Sequence, residues 1–219
     1  MFPISIRKYE IKDRSDIRRI SCETSFLEEE RGYFIDDDEI LSDALTLYYT
    51  DYEPESCFVA LNDGHVVGYI IGTKDVYTME KIFAKDVLPK LIVKSFSRSI
   101  WIRKNIWLFL FHIALSALKG EFFSPCFGAM YPAMFHINID KMYRGRYIGK
   151  RLIETYVSFL KELKVSGVHF GTMSQASKSF FLKSGFALLH ESKRSYLKYR
   201  TGTITPFYIL GMDLKTNLL

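Results

Sequence analysis

The sequence has few cysteines and none of the spacings that mark a metal or disulfide protein. Its three cysteines, Cys22, Cys57 and Cys126, lie far apart and form no Cys-x-x-Cys pair. We therefore expect neither a disulfide framework nor a zinc site, and we expect the protein to occupy a reducing compartment. The five histidines show no metal-ligand spacing such as HExxH, so no metal is expected. The first residues contain no apolar core of a secretory signal, and the protein is expected to be cytoplasmic.

Several catalytic motifs are also missing. The sequence has no GxxxxGK[ST] loop, no GxGxxG after its first strand and no GxSxG elbow. Their absence excludes a Walker-type nucleotide site, a Rossmann dinucleotide site and a serine hydrolase of that type. The net charge of +5 is too small to predict a nucleic-acid partner.

Charge is unevenly distributed along the chain. Residues 28–55 carry eleven acidic residues against one arginine, and residues 81–119 carry eight basic residues against one aspartate. Opposite blocks in one chain predict an internal contact, a subunit contact or a polarised substrate cleft. Two separately solvated helix faces are the alternative.

One long apolar segment requires a test for membrane insertion. Residues 106–118 are uncharged and largely apolar, but thirteen residues fall short of the ~20 that a spanning helix needs. A buried helix or a homodimer surface is expected here, and no membrane partner is.

The remaining pattern predicts one α/β domain over residues 1–219 with a helical insertion at 78–132. Strands are predicted near residues 4–9, 57–61 and 66–73, the last two joined by an Asp-Gly turn. Helices are predicted over 15–26 and 38–52, and the insertion is predicted to break near Pro89 and at 95–99. A strand, a loop, a helix, a strand, a helix and two strands follow.

The loop between the strand AMFHINI and the next helix is the most informative segment. Glycines there allow close backbone approach, and unpaired N–H groups at a helix start bind phosphate. Basic side chains add charge-assisted contacts. The loop therefore predicts a phosphate-bearing cofactor. Its glycines and basic residues are Arg144, Gly145, Arg146, Gly149, Lys150 and Arg151.

These residues carry a resemblance. INIDKMYRGRYIGKRLIE resembles the acetyl-CoA loop of the GNAT superfamily of N-acetyltransferases, of signature [Q/R]-x-x-G-x-[G/A], with Arg144 first and Gly149 last. MSQASKSFFLKSGF is similar to the family's next stretch, N-x-x-A-x-x-F-Y ending in G-F, through Phe180, Gly185 and Phe186. The order of elements agrees over 4–214 except at 78–132. The HINI strand with GYIIGTKD upstream is similar, more narrowly, to the acetyltransferase-like group related to the domain of some O-GlcNAc hydrolases.

The resemblance implies a mixed, mostly antiparallel sheet with splayed parallel strands 4 and 5, flanked by helices. It implies acetyl-CoA as cofactor and acetyl transfer to a primary amine; the alternative is a catalytically silent acyl-CoA-binding sensor or scaffold. Because the acidic segment includes the part that covers the acceptor pocket in this family, a cationic small molecule or peptide is expected. The residues that the resemblance assigns to the cofactor are Ile137, Asn138, Ile139, Arg144, Gly145, Arg146, Tyr147, Ile148, Gly149, Lys150, Ser174, Ser177, Phe180 and Phe181.

Three positions depart from the family pattern. Tyr147 stands at the central glycine, which is tolerable if its φ is negative and its ring points outward. Ser174 and Ser177 replace the usual Asn and Ala. Phe181 replaces the tyrosine that often protonates the leaving thiolate.

Two residues are candidate catalytic groups because the family fold places both near the cleft. Asp75 can accept a proton or bind a cationic amine, and its alternative role is a cap at a strand end. His136 can relay a proton, and its alternative role is a hydrogen-bonded core histidine. Tyr77, Tyr131 and Tyr143 are further hydroxyls that the sequence does not rank.

Overall fold

The fold is built on one mixed sheet. A computed structural model describes residues 4–24 and 37–215. The strands of this part are β1 (Ser5–Lys8), β2 (Cys57–Asn62), β3 (His65–Thr73), β4 (Ala133–Ile139), β5 (Gly167–Thr172), β6 (Ala187–Arg194) and β7 (Thr205–Asp213). They form a seven-stranded sheet in the order β1-β2-β3-β4-β5-β7-β6. Every neighbouring pair is antiparallel except β4 and β5.

The parallel pair separates after a short contact. Ala133 pairs with Val168 and Met134 with His169, and within the described chain β4 has no further pairing with β5. On its other edge β4 stays paired with β3 as far as Ile139. The predicted splay of strands 4 and 5 is confirmed, and it leaves one edge of β4 open beyond Met134.

The β2–β3 hairpin forms as the sequence predicts. Asp63 and Gly64 adopt φ of 51° and 76°, the left-handed values that a tight reversal requires. Apart from His65, β3 is buried along its length, as expected for a strand covered on both faces.

Helices cover both faces of the sheet. They are α1 (Arg14–Thr24), α2 (Asp38–Tyr52), α3 (Val76–Ile82), α4 (Leu88–Ser97), α5 (Lys104–Leu118), α6 (Ile148–Glu162), α7 (Gln175–Lys183) and α8 (Lys198–Thr201). Leu152 and Tyr156 of α6 pack with Phe181 of α7 in one core. Ile17 of α1 and Tyr49 of α2 belong to the core on the opposite face. The part of the first predicted helix beyond residue 24 lies outside the described residues.

The insertion does not break at Pro89. The residues between α3 and α4, Phe83–Val87, form a π-helical turn, and the helical path continues into α4. Leu88 N donates to Phe83 O across this junction, so the helical hydrogen bonding continues up to Pro89 at the second residue of α4. The second predicted break is confirmed at Ser99, whose φ of 54° ends the helix.

The acidic and basic blocks contact each other. Arg98 Nε donates to Asp37 Oδ2 at 2.6 Å. Lys94 Nζ donates to Asp43 Oδ2 at 2.6 Å and to Glu39 Oε2 at 3.0 Å. An internal contact, one of the expected outcomes, therefore joins α2 to α4. The acidic residues before Asp37 lie outside the described residues.

The apolar helix α5 is not a buried helix. Only Ile106 and Ser116 of α5 are buried, so the expectation of a buried helix is wrong. The reason is that α5 packs through one side only, against α2 and the segment after β6. In the described ranges no helix has the length and apolar character needed to cross a membrane.

Candidate cofactor site and cleft

The turn that follows β4 has an unusual backbone. Asp140 accepts from Met142 N at 3.0 Å and starts a 3-10 turn, Lys141–Tyr143. Gly145 and Tyr147 then adopt left-handed φ of 78° and 60°, and α6 begins at Ile148. A left-handed residue beside a right-handed helical one, as at Tyr147 and Ile148, turns successive N–H groups toward one side and favours an anion-binding concavity.

The N–H groups of this turn are available to a ligand. In the parts of the chain that the structure describes, the backbone N–H groups from Gly145 to Lys150 have no hydrogen-bond partner, and no side chain caps α6. The first intrahelical bond runs from Arg151 N to Tyr147 O at 3.1 Å. Unpaired donors and the positive end of a fifteen-residue helix attract phosphate. The residues present therefore fit a diphosphate group.

Basic side chains surround the turn. Arg146 lies over the ring of Tyr143, with 5.0 Å from its guanidinium carbon to the ring centroid. Lys150 lies on the exposed side of α6, with Nζ 3.8 Å from Glu154. Arg144 Nε donates to Ile139 O at 3.4 Å and packs back onto the end of β4. These cations add positive charge beside the N–H groups of the turn.

Tyr147 meets one of its two expected conditions. Its ring points outward, with 79% of the residue exposed. Its φ is positive, so the expected negative φ is wrong. The turn imposes the left-handed conformation because the chain must reverse between Gly145 and the first turn of α6. A tyrosine is strained in that region by roughly 1–2 kcal/mol.

The two sequence motifs meet in space. A Cβ built on Gly149 would lie 3.5 Å from Cζ of Phe180, so the start of α6 rests beside the half-exposed ring of Phe180 on α7. Ser174 is the N-cap of α7, where its Oγ accepts from Ser177 N at 3.2 Å. Both serines therefore hold the start of α7, next to the turn.

Phe181 points away from this surface. It is 4% exposed, and its ring centroid lies 4.2 Å from that of Phe170 and 5.9 Å from that of Phe135. The structure thus places Phe181 in the core beneath the turn. A hydroxyl added to that ring would enter the core.

The open edge of β4 carries Ile137, Asn138 and Ile139, all partly buried. Asn138 Nδ2 donates to the hydroxyl of Tyr69 at 2.7 Å. Burial raises the pKa of Tyr69 far above its ordinary value, so this hydroxyl stays protonated. The Asn138 side chain is thereby fixed against β3, and the backbone edge beyond Met134 is left open toward β5.

His136 lies where β4 has parted from β5. Its ring meets the ring of Tyr49 edge-on, with 5.5 Å between centroids. The side chain reaches solvent, yet protein surrounds it closely enough for desolvation to lower its pKa below the ordinary value. A neutral imidazole near pH 7 is able to accept a proton.

Asp75 lies at the other end of β4. Its carboxylate accepts from Tyr77 N at 2.9 Å and from Thr78 Oγ1 at 2.8 Å, so it caps α3. The backbone bond from Val76 N to Pro132 O at 2.8 Å places Asp75 beside the start of β4. At about 3.3 Å per residue, Asp75 is roughly 13 Å along the strand from His136. The structure therefore does not bring the two candidates together, and a catalytic role for Asp75 stays a prediction.

The sequence did not predict a contact of Tyr156 beside the point where β4 and β5 separate. The hydroxyl of Tyr156 on α6 lies 3.2 Å from both Thr73 O and Met134 O, the last residues of β3 and of the β4–β5 pairing. A Cβ on Gly72 would lie 2.1 Å from this hydroxyl. The available signal was a glycine inside a buried strand, which marks close approach of another group.

Comparison with solved structures gives the same architecture. The crystal structure of SsHAT superposes with a TM-score of 0.70 at 23% identity, covering 96% of this chain and 98% of that one. A polyamine N-acetyltransferase of Drosophila melanogaster gives 0.56 at 17% identity over 96% and 100%. The structure of yncA from Salmonella typhimurium with its cofactor acetyl-CoA gives a TM-score of 0.58 at 12% identity, covering 97% of this chain and 95% of that one. No protein-family model matches the sequence, and no curated protein matches it either.

These likenesses define the class of fold. The chain has the GNAT N-acetyltransferase fold: a seven-stranded mixed sheet whose parallel β4 and β5 part beside a glycine-containing turn.

Proposed function

We propose that this chain is an N-acetyltransferase that binds acetyl-CoA and transfers the acetyl group to a primary amine. The observation that carries the proposal is the row of unpaired N–H groups from Gly145 to Lys150, directly beyond the open edge of β4. Support also comes from the fold, which is shared with acetyltransferases, one of them solved with acetyl-CoA.

The turn would hold the diphosphate of the cofactor. Donors from Arg146 to Lys150 converge at the start of α6, and the helix dipole adds positive potential there. The exposed guanidiniums of Arg144 and Arg146 add charge-assisted contacts. Gly149 has no Cβ that would narrow the approach to the backbone.

The open edge of β4 would position the reacting groups. Acetyl-CoA supplies a thioester that an amine can attack. Beyond Met134 the backbone edge of β4 that faces away from β3 has no pairing with β5, and it could pair with an extended arm as a further strand would. His136 would accept the proton that the attacking amine loses, because its lowered pKa keeps it neutral. Most of the rate gain would come from holding the two reactants together.

The acceptor is proposed no more finely than a primary amine. The acidic segment suggested a cationic acceptor, but in the structure Asp37, Glu39 and Asp43 form ion pairs with Lys94, Arg98 and Arg18 within the fold. These charges are neutralised by neighbours, so they exert little long-range attraction on a ligand.

Calorimetry with acetyl-CoA tests the site. Gly149→Arg places a long side chain over the N–H groups and should abolish binding. Gly149→Ala is the matched control, because the added Cβ makes only an ordinary contact with Phe180, and it should retain most of the affinity. Thiol release with a panel of amines then tests transfer. Unchanged affinity in Gly149→Arg, with the fold intact by circular dichroism, would refute the site.

A second candidate is an acyl-CoA-binding domain without transferase activity. The burial of Phe181 favours it, because the family's usual hydroxyl donor is absent and the position faces the core. Binding of acetyl-CoA without thiol release for any amine in the panel would select this alternative over the enzyme.

A further inference from the structure

A second histidine lies at the point where β4 and β5 separate. His169 of β5 pairs with Met134 of β4 in the last pair of their parallel ladder within the described chain. Val168 and Phe170, its neighbours along β5, belong to the core that contains α6. Because side chains alternate along a strand, His169 projects from the opposite face of the sheet.

His136 projects from that same face. Its neighbour Phe135 lies in the core with α6, so Met134 and His136 both point the other way, where His136 meets the ring of Tyr49. His136 is two residues from Met134, or about 7 Å along β4, and a paired strand lies about 4.8 Å to the side. The Cα atoms of the two histidines are therefore roughly 8 Å apart on one face of the sheet.

The backbone fixes one tautomer of the His169 ring. Its Nδ1 lies 2.6 Å from the carbonyl oxygen of Tyr131. A carbonyl oxygen can only accept a hydrogen bond, so Nδ1 carries the proton, and in the neutral ring Nε2 has the lone pair. The residue is partly exposed. This is the form of histidine that accepts a proton at Nε2.

The surroundings of His169 keep its ring neutral near pH 7. Desolvation lowers the pKa of His169 below its ordinary value. Hydrogen bonding to the backbone of Tyr131 and Ala133 and the carboxylate of Glu80 on α3 act in the opposite direction, but desolvation outweighs them. A proton that the ring accepts is therefore readily passed on, because burial disfavours the charged imidazolium.

The proposed path of the cofactor arm ends beside this histidine. The turn at residues 145–150 lies beyond Ile139, and the open edge of β4 runs back from Ile139 to Met134, over about 17 Å at 3.3 Å per residue. The Met134 carbonyl is held at the end of this edge by the hydroxyl of Tyr156 at 3.2 Å. An arm that pairs with the edge from the turn inward has its thioester end next to the pair of Met134 and His169.

Transfer to a protonated amine needs more than one proton acceptor. A primary amine is an ammonium ion at neutral pH, and its nitrogen loses two protons when it becomes an amide. Phe181, which is buried in the core, has no hydroxyl to protonate the leaving sulfur. On the basis of the proposed function, we propose that His169 is a second catalytic residue, which accepts the first proton of the ammonium group and later returns it to the sulfur of coenzyme A.

The proton transfers balance with both histidines. Nε2 of His169 takes one proton from the ammonium group and leaves a free amine with a lone pair. His136 takes the second proton as the nitrogen bonds to the carbonyl carbon of the thioester. His169 then gives its proton to the sulfur, which receives the electron pair of the broken carbon–sulfur bond. The proton on His136 passes to water, so the products are the amide, the free thiol and one released proton.

His169→Gln tests this role, because the glutamine amide can still donate to Tyr131 O. With acetyl-CoA and a primary amine that the parent acetylates, kcat at about pH 7 should fall by roughly a hundredfold. The loss should become smaller as the pH rises, because more of the acceptor is then already deprotonated. His65→Gln, at an exposed histidine at the start of β3, is the control and should match the parent.

Two further measurements do not depend on turnover. In nitrogen NMR of the parent, His169 should carry its proton on Nδ1, and its Nε2 resonance should shift when coenzyme A binds, whereas the resonances of His65 should not. The thiolate fraction of bound coenzyme A, read from its ultraviolet absorbance near neutral pH, should be at least roughly threefold lower in His169→Gln. The reason is that an imidazolium beside a sulfur stabilises the thiolate.

Three outcomes would overturn the role of His169. One is a kcat and a pH profile of His169→Gln that equal those of the parent. Another is a lower kcat with an unchanged pH profile and an unchanged thiolate fraction, which would show a structural role only. The third is an Nε2 resonance that coenzyme A does not shift.

Calorimetry with acetyl-CoA separates this proposal from the proposed function. The affinity should be the same in the parent and in His169→Gln, and no binding by the parent would refute the proposed function itself. If the parent binds acetyl-CoA but releases no thiol with any amine, the transferase and this role of His169 are both wrong. Transfer by the parent with any of the three outcomes above refutes the role of His169 alone.

Discussion

Replacing Tyr147 by glycine should stabilise the protein. A residue with a Cβ loses roughly 1–2 kcal/mol in the left-handed region, and Tyr147 has φ of 60° and ψ of 8°. Glycine also lowers the stability by about 0.5–1 kcal/mol, because it makes the unfolded chain more flexible. We therefore expect a net gain of about 0.5–1 kcal/mol in the free energy of unfolding. For a chain of this size that raises the Tm by roughly 1–4 °C.

Two controls isolate the backbone as the cause. Tyr147→Ala keeps the Cβ and removes an exposed ring, so its stability should stay within about 0.5 kcal/mol of the parent. Lys164, just after α6, also has a positive φ, of 57°, and Lys164→Gly should gain similarly.

Urea denaturation measures each stability, and calorimetry measures acetyl-CoA binding. Tyr147→Gly should bind at least as tightly as the parent, because its N–H group is retained, and Lys164→Gly should bind equally. No gain in Tyr147→Gly beside a clear gain in Lys164→Gly would refute the assignment of strain to Tyr147.

Four further outcomes follow from the described contacts. Burial raises the pKa of Asp43, but hydrogen bonds from Lys94 and Arg18 outweigh this effect, and the pKa lies below its ordinary value. The ion pairs of Asp43 therefore stabilise the fold above about pH 4 and are lost below it. Asp43→Asn should lower the free energy of unfolding in urea at pH 7 by roughly 1–3 kcal/mol, and the stability of this variant should depend less on pH in acid. Asp75→Ala should lose about 1 kcal/mol with the cap of α3 and Asp75→Ser should lose little, and loss of turnover in Asp75→Ser would reveal a catalytic role. His136→Ala should lower kcat by roughly a hundredfold without changing acetyl-CoA affinity, and the parent's rate should fall only below about pH 6.5, because desolvation by the neighbouring side chains lowers the histidine pKa. Phe181→Tyr should lower the Tm without raising the rate, since the new hydroxyl enters an aromatic core.

Local signals predicted much of the fold. The helix at Asp38–Tyr52 has its predicted bounds because Asp37 supplies an N-cap, with its carboxylate accepting from Ile40 N at 3.1 Å. The Asp-Gly hairpin followed from backbone sterics alone. The predicted break at Pro89 was wrong because a local rule treats proline as the end of a helix. The π-helical turn before Pro89 changes the hydrogen-bond pattern and lets the helix continue.

The candidate site was also predictable only in part. The turn around Gly149 was visible because glycines and basic residues at a helix start have a direct physical reason to be there. The direction of the Phe181 side chain was not predictable from the sequence. Adjacent helical residues point about 100° apart, and packing alone decides which of them enters the core. The exposure of α5 likewise depends on distant parts of the chain.

The Tyr156 hydroxyl fixes the point at which the sheet divides. It lies against the carbonyls of Thr73 and Met134, just before β4 leaves β5. A molecule that binds between the two diverging strands therefore reaches a point that Tyr156 of α6 already holds in place. Its entry need not break any existing rung of the ladder between β3 and β4, and the affinity it achieves is not diminished by a loss of strand pairing.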